Sequence, residues 1–242
     1  MNTTPSSPLH AMSTTASHLP ESGQDQPQID ATGRVRGTGG LALVLGGGGS
    51  TGNAWLIGVI AGLSDAGLDV TTADLTIGTS AGSTAAAQMG GATPTRLHAA
   101  ILAAAPQHGT RPVTDHLERI REIIASAADA ADMRRRMGAA ALDRDAASDG
   151  SWQAQWRATV ASRLPSQQWP QRTVLITAVD ARTGQPVVFD RHSGVDLVDA
   201  VTASCSSGQP YRIGDGQYID GGYRTNAENA DLATGYERVL VL

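Results

Sequence analysis

The chain has 242 residues, 40% of them hydrophobic, and a formal net charge of −5. That is enough apolar material for one α/β core, and the acidic balance offers no basic face to a nucleic acid. Cys205 is the only cysteine, which excludes an internal disulfide. No apolar run approaches the ~18 residues of a spanning helix. The N-terminus lacks the charged and apolar regions of a secretory signal, so the cytoplasm is the default compartment. All 18 basic residues are Arg, which reads as a coding bias more than a functional signal.

Residues 1–38 are rich in Ser, Thr, Pro, Gln and Gly and read as a disordered leader, because they cannot bury enough to offset their ordering entropy. Residues 39–242 read as one domain. Leu41-Ala42-Leu43-Val44-Leu45 is a continuous apolar run, as expected of a strand buried on both faces. Gly46 to Gly49 come at once after it, where a chain without Cβ atoms can turn sharply and expose its amides. A helix is expected over 53–66, with Trp55, Leu56, Val59, Ile60 and Leu63 on one stripe. A short strand over 74–77 leads into Gly78-Thr79-Ser80-Ala81-Gly82, and a second helix over 81–89. A serine on a sharp strand-to-helix turn is the geometry of a nucleophile elbow.

Helices are expected next over 95–104 and 114–131, then a basic run, Arg134-Arg135-Arg136, that reads as a solvated face. Residues 145–150 form a polar break. In the helix expected over 152–164, Trp152, Trp156, Val160 and Leu164 share a face. Core packing is the first reading of that stripe; a peripheral contact with lipid is the second, since Trp and Arg favour the water–lipid boundary. Strands are expected over 173–179 and 186–189, a helix over 195–205, an irregular loop through Gly216, and a brief strand over 217–219. That strand delivers Asp220 to Gly221-Gly222. A short helix over 227–234 precedes a terminal strand, 238–242, that reads as core, and the chain stops inside it at Leu242.

A serine hydroxyl needs a base within hydrogen-bond reach and donors facing the developing oxyanion. His10 and His18 lie in the leader. His98, His108 and His116 have no acidic partner in the pattern, and only His192, after Asp180 and Asp190, fits a Ser…Asp…His order. No histidine comes after Asp220, so a carboxylate acting directly on serine has to be considered. Asp149-Gly150 and Asp215-Gly216 are weaker candidates, lacking a clear preceding strand.

Gly47-Gly48-Gly49-Ser50-Thr51-Gly52, Gly78-Thr79-Ser80-Ala81-Gly82 and Asp220-Gly221-Gly222, in this order, resemble the glycine loop, elbow and DG(G/A) motif of the patatin-like phospholipases. The resemblance implies a three-layer α/β/α sandwich with a mainly parallel central sheet. It implies a Ser80–Asp220 dyad without histidine and an oxyanion hole from the amides of Gly47, Gly48 and Gly49. The substrates implied are acyl esters of lipids, with no metal or organic cofactor. Thr51 stands where the family usually carries Arg or Lys. Two rival readings stay open. One is a non-catalytic member of the same fold. The other is a Rossmann-type dinucleotide-binding domain, because Gly47-x-Gly49-x-x-Gly52 after a strand also fits that fingerprint.

Overall fold

The computed structural model describes residues 29–34, 39–104, 114–225 and 228–242. Its centre is a seven-stranded sheet: β1 (Leu41–Leu45), β2 (Leu75–Gly78), β3 (Thr173–Asp180), β4 (Pro186–Phe189), β5 (Tyr211–Ile213), β6 (Gly216–Asp220) and β7 (Arg238–Val241). The order is β5-β6-β3-β2-β1-β7, with β4 also on β3. The four strands β7, β1, β2 and β3 run parallel; β4 and β6 are antiparallel to β3, and β5 to β6. The apolar run of β1 fixes its place, since Ala42, Leu43, Val44 and Leu45 are fully buried and only a central strand covers both faces.

Among the described residues seven α-helices flank the sheet: α1 (Gly49–Asp65), α2 (Ala81–Met89), α3 (Pro94–Ala103), α4 (Thr114–Ser126), α5 (Ala130–Ala146), α6 (Trp152–Arg163) and α7 (Leu197–Ser204). The period-2 alternation of the strands divides the core. Leu43, Leu45, Val174, Ile176, Phe189 and Tyr218 face α1, α2, α6 and α7. Ala42, Val44, Leu75, Ile77 and Val188 face the 3-10 turn Ala230–Ala233, and Val179 and Ile219 pack against α5. The result is a mixed α/β architecture with a central sheet covered on both faces.

The registers carry the main consequence for function. β2 pairs with β3 from Thr173 to Ile176, and β6 from Ala178 to Asp180. β4 pairs with Ile176 to Val179, and its overlap with both of the others places it on the opposite edge of β3. So β2 and β6 lie end to end along one edge, running towards each other, and Thr177 faces the break between them. The residues just past the end of β2 therefore meet those just past the end of β6.

Several expectations need correction. Trp55 is not on the buried stripe of α1; it is 55% exposed, while Leu56, Ile57, Ile60 and Ala61 are buried. The single helix expected over 114–131 is two, because Asp129 caps a new helix by accepting from the Asp132 amide at 2.7 Å. The polar break expected over 145–150 begins two residues later, because α5 runs on to Ala146; Asp145 is buried and accepts from Arg212 Nη2 at 2.6 Å. The loop expected through Gly216 contains β5, and of the helix expected over 227–234 the described part is the 3-10 turn Ala230–Ala233. The terminal strand is an edge strand, not core, with Val239 and Val241 each 45% exposed. Arg134, expected on a solvated face, is half-buried, and its guanidinium donates to the Gly184 and Arg224 carbonyls. Within the segment expected as leader, residues 29–34 pack on the fold. Ala31 is fully buried and donates to the Val188 carbonyl at 2.7 Å, and Arg34 pairs with Asp190 at 2.7 Å. The rest of that segment lies outside the described residues, except Gly39 and Gly40 just beyond it.

The turn from β2 into α2 is packed so closely on β1 that a side chain has no room. The Gly82 amide donates to the Gly46 carbonyl at 2.8 Å, and a Cβ on Gly82 would overlap the Leu45 carbonyl. Gly82→Ala should cost about 3 kcal/mol and lower the melting temperature by about 6–12 °C. Gly62→Ala, in α1 with nothing near its added methyl, should raise stability by up to about 1 kcal/mol. Thermal melts of the two variants check the contrast, and an undisturbed Gly82→Ala would contradict the packing.

Candidate active site

Ser80 is where β2 gives way to α2, with φ 52° and ψ −113°. That region is open to glycine and strained for a side-chain-bearing residue. The strain has a local result: a serine at a helix N-cap ordinarily turns its oxygen onto the helix amides, but this hydroxyl makes no capping bond. It donates instead to Asp220 Oδ2 at 2.9 Å. The backbone around it is held on each side. Its amide donates to Ser204 Oγ at 2.9 Å, and its carbonyl accepts from Ser83 Oγ at 2.7 Å and Cys205 Sγ at 3.2 Å. Gly78 allows the return of the chain, since a Cβ there would lie 2.6 Å from Ser83 Cα.

Asp220 arrives at the end of β6, paired with Ala178 of β3, and its amide donates to the Ser206 carbonyl at 3.0 Å. Its Oδ1 accepts from the Gly222 amide at 2.8 Å, so both carboxylate oxygens are engaged. The residue is only 8% exposed. Burial pushes its carboxyl up from the usual 3.8 to about 6, against the pull of the Gly222 and Ser80 hydrogen bonds. Cys205, beside it, is pushed up to about 11, mainly by burial, so its thiol keeps its proton and donates.

The glycine loop lies alongside. A Cβ on Gly47 would sit 3.8 Å from Ser80 Cβ, the nearest atom to it. Gly48 is the N-cap of α1 with φ 127°, and no side chain caps that helix. Gly48 and Gly49 are exposed. The Gly47 amide donates to Glu228 Oε2 at 3.1 Å. A groove of about 440 Å³ opens between α6 and the segment after α7, lined by Trp152, Trp156, Thr159, Cys205, Ser206 and Gln209. Two of those residues bond the Ser80 and Asp220 backbones. A larger hollow, about 640 Å³ between α4 and α5, touches neither Ser80 nor Asp220.

Thus Ser80, Asp220 and Gly47, far apart in sequence, are brought together. His192 is not among them. It sits in an exposed turn, its amide on Asp190 Oδ1, while Asp190 is committed to Arg34. Asp180 caps the β3–β4 turn through the Arg182 and Thr183 amides. His10, His18 and His108 lie outside the described residues. Asp149 and Asp215 occupy exposed turns. Trp152 and Trp156 pack half-buried on the main core, and Trp169 donates to the Val195 carbonyl. Thr51 is exposed in the first turn of α1.

The sequence reading missed Thr79, Thr177 and Asn229. All three are fully buried, and the Asn229 amide reaches both threonine hydroxyls. Nothing in their spacing marks them; a polar residue amid apolar strands or a Gly/Asn-rich turn is too common a pattern. The dinucleotide reading needs an acidic residue closing the second strand, whereas β2 closes on Gly78 and runs into Ser80.

No helix among the described residues is long and apolar enough to cross a membrane. A family model described as Patatin-like phospholipase matches residues 43–233. No curated protein matches the chain. Among solved structures, VipD from Legionella pneumophila aligns with a TM-score of 0.40 and 13% identity. That alignment covers 77% of this chain and 46% of VipD, so the chain spans about half the length of that structure. With its three motifs inside the matched region, which takes in most of the domain, the chain belongs to the patatin-like phospholipase family.

Proposed function

We propose that the protein hydrolyses lipid acyl esters through a Ser80–Asp220 dyad, with the amides of Gly47, Gly48 and Gly49 receiving the oxyanion. Membership of a phospholipase family implies lipid hydrolysis; the assignment of the chemistry rests on the 2.9 Å bond from the Ser80 hydroxyl to a buried carboxylate. Asp220 Oδ2 takes the hydroxyl proton as Ser80 Oγ attacks the ester carbonyl, and returns it to the leaving alcohol. Water then repeats the sequence on the acyl-enzyme. A base pKa near the working pH suits such transfer, and burial supplies that here without a histidine. The strained turn of Ser80 keeps its hydroxyl off the helix, and the N-terminal end of α2 favours negative charge there. The carboxylate resting on the Gly47 amide supports an anion-receiving role for the loop. The groove beside Trp152 and Trp156 offers half-apolar room for an acyl chain.

Ser80→Ala and Asp220→Asn should each reduce ester hydrolysis about a thousandfold or more, and Ser80→Ala should abolish fluorophosphonate labelling. His192→Ala should stay within about twofold of wild type. A large loss at His192 would replace the dyad by a triad. In the wild-type enzyme kcat/KM should rise about tenfold per pH unit up to about 6 and then level, as Asp220 ionises.

The same burial has a stability consequence. The folded carboxyl titrates near 6, above its ordinary 3.8, so the folded state holds that proton more tightly than the unfolded one. Stability therefore falls as pH rises from about 4 to about 6, by roughly 3 kcal/mol in all. Asp220→Asn carries no charge and should melt higher than wild type at pH 8. The difference should shrink towards pH 4; a gap independent of pH would show that burial is not the cause.

Glu228 and an oxyanion compete for one amide. Glu228→Ala should raise kcat/KM on a short-chain ester about threefold, the scale of an exposed charged contact. A fall would mean that the carboxylate orders the loop instead.

A further inference from the structure

Between the ends of β2 and β6 the ladder on that edge of β3 is interrupted, and Thr177 faces the interruption. Thr79 projects into it from one side as the residue before Ser80, and Gly221 from the other as the residue after Asp220. No strand pairing holds these two segments at a fixed distance, although the hydroxyl and carboxylate on either side must meet. Asn229 fills the gap. It is fully buried, with φ 65° and ψ 24°, a left-handed conformation that asparagine adopts more readily than most residues.

Its Nδ2 lies 2.7 Å from Thr79 Oγ1, 3.2 Å from Thr177 Oγ1 and 3.3 Å from the Gly221 carbonyl. The two threonine hydroxyls are themselves 3.0 Å apart. An amide nitrogen carries two hydrogens, so the short bond to Thr79 uses one, and Thr177 and Gly221 share the other. The Gly221 carbonyl can only accept, so the group facing it must be a donor. Oδ1 is fixed in turn: it accepts from Arg224 Nη1 at 3.0 Å, and Arg224 is clamped on Asp231 by bonds of 2.7 and 2.8 Å. Gly221 has no freedom to drift, since a Cβ there would overlap Thr177.

We propose that Asn229 is a positioning residue for the Ser80–Asp220 pair: its carboxamide bridges the break in the sheet and sets the reach from hydroxyl to carboxylate. The inference rests on the dyad reading. Asn229 touches neither reacting group; it acts through Thr79 on one and Gly221 on the other. Together with the Ser204 hydroxyl on the Ser80 amide, it holds the strained elbow from both ends.

The test is a cycle of Asn229→Ala, Thr79→Val and the double variant on the full chain. Hydrolysis of a short-chain ester is expressed per serine titrated with a fluorophosphonate, so that misfolded molecules do not count. Each single variant should lose at least tenfold in kcat per titrated serine, with KM within about twofold of wild type. The double variant should fall no more than about threefold below the poorer single, because the Asn229–Thr79 bond is lost in both. A folded Asn229→Ala or Thr79→Val with kcat within twofold of wild type overturns the inference, and so do losses that multiply. If Asn229→Ala does not fold, Thr79→Val decides alone, being nearly isosteric. Labelling of the wild-type protein separates the two levels. No label at Ser80 sinks the dyad reading and this inference with it, while a labelled Ser80 with undisturbed variants sinks only the positioning role.

Discussion

The head-on approach of β2 and β6 along one edge of β3 is the constraint on which the site depends. A parallel strand and an antiparallel one can share an edge only if both stop, and the residues just past each stop are then forced together. Ser80 and Asp220 are 140 residues apart in sequence and 2.9 Å apart in space for that reason. The break also removes backbone hydrogen bonds that the sheet would otherwise supply, and buried polar groups must find other partners. Ser204 Oγ accepts from the Ser80 amide, the Ser206 carbonyl from the Asp220 amide, and Asn229 Nδ2 donates to the Gly221 carbonyl, with the Thr79 and Thr177 hydroxyls buried beside it. An interrupted sheet thus accounts both for the meeting of the pair and for the cluster of buried polar side chains around it.

The first half of the site was legible in the sequence because local chemistry determines it. A wholly apolar strand, a run of glycines and a Gly-x-Ser-x-Gly turn each have few structural alternatives, and α2 occupies the residues expected of it. The three-layer sandwich came from the family resemblance that the glycine loop, the Gly-x-Ser-x-Gly turn and Asp220-Gly221-Gly222 carry. Asp220 could be placed at a strand end, but its distance from Ser80 depends on a register that no local pattern encodes. β5 was missed because three residues, Tyr211-Arg212-Ile213, between glycines and prolines give too short an alternation to register. The α4–α5 junction was missed because alanine-rich sequence continues through it, and only the Asp129 cap marks the new start. Helical spacing groups Trp55 with Leu56, Val59, Ile60 and Leu63, yet it is 55% exposed, as single large apolar residues on surface helices often are. Asn229 had no signal, since its role exists only once the two strand ends have been brought to it.

The burial that the break imposes on Asp220 suits a lone carboxylate to the role of the proposed base. In water an aspartate is too weak a base to draw a proton from serine at useful rates, and enzymes usually interpose a histidine. Here burial raises the carboxyl to about 6, while the Gly222 amide and the Ser80 hydroxyl resist the change. A third strong donor would drive the pKa back down; a drier pocket with no donor would leave the group protonated and inert. The carboxylate is therefore held in an intermediate setting, with one backbone donor on one oxygen and the Ser80 hydroxyl on the other. The same balance limits what can surround it. The Cys205 thiol stays neutral, pushed up to about 11, and Arg224, linked to the site through Asn229, is engaged with Asp231 and Asn229. A positive charge turned onto Asp220 would stabilise the ion and weaken the base. The neutral groups around Asp220, and the engagement of the half-buried Arg224 with Asp231 and Asn229, leave the proposed base with a pKa of about 6.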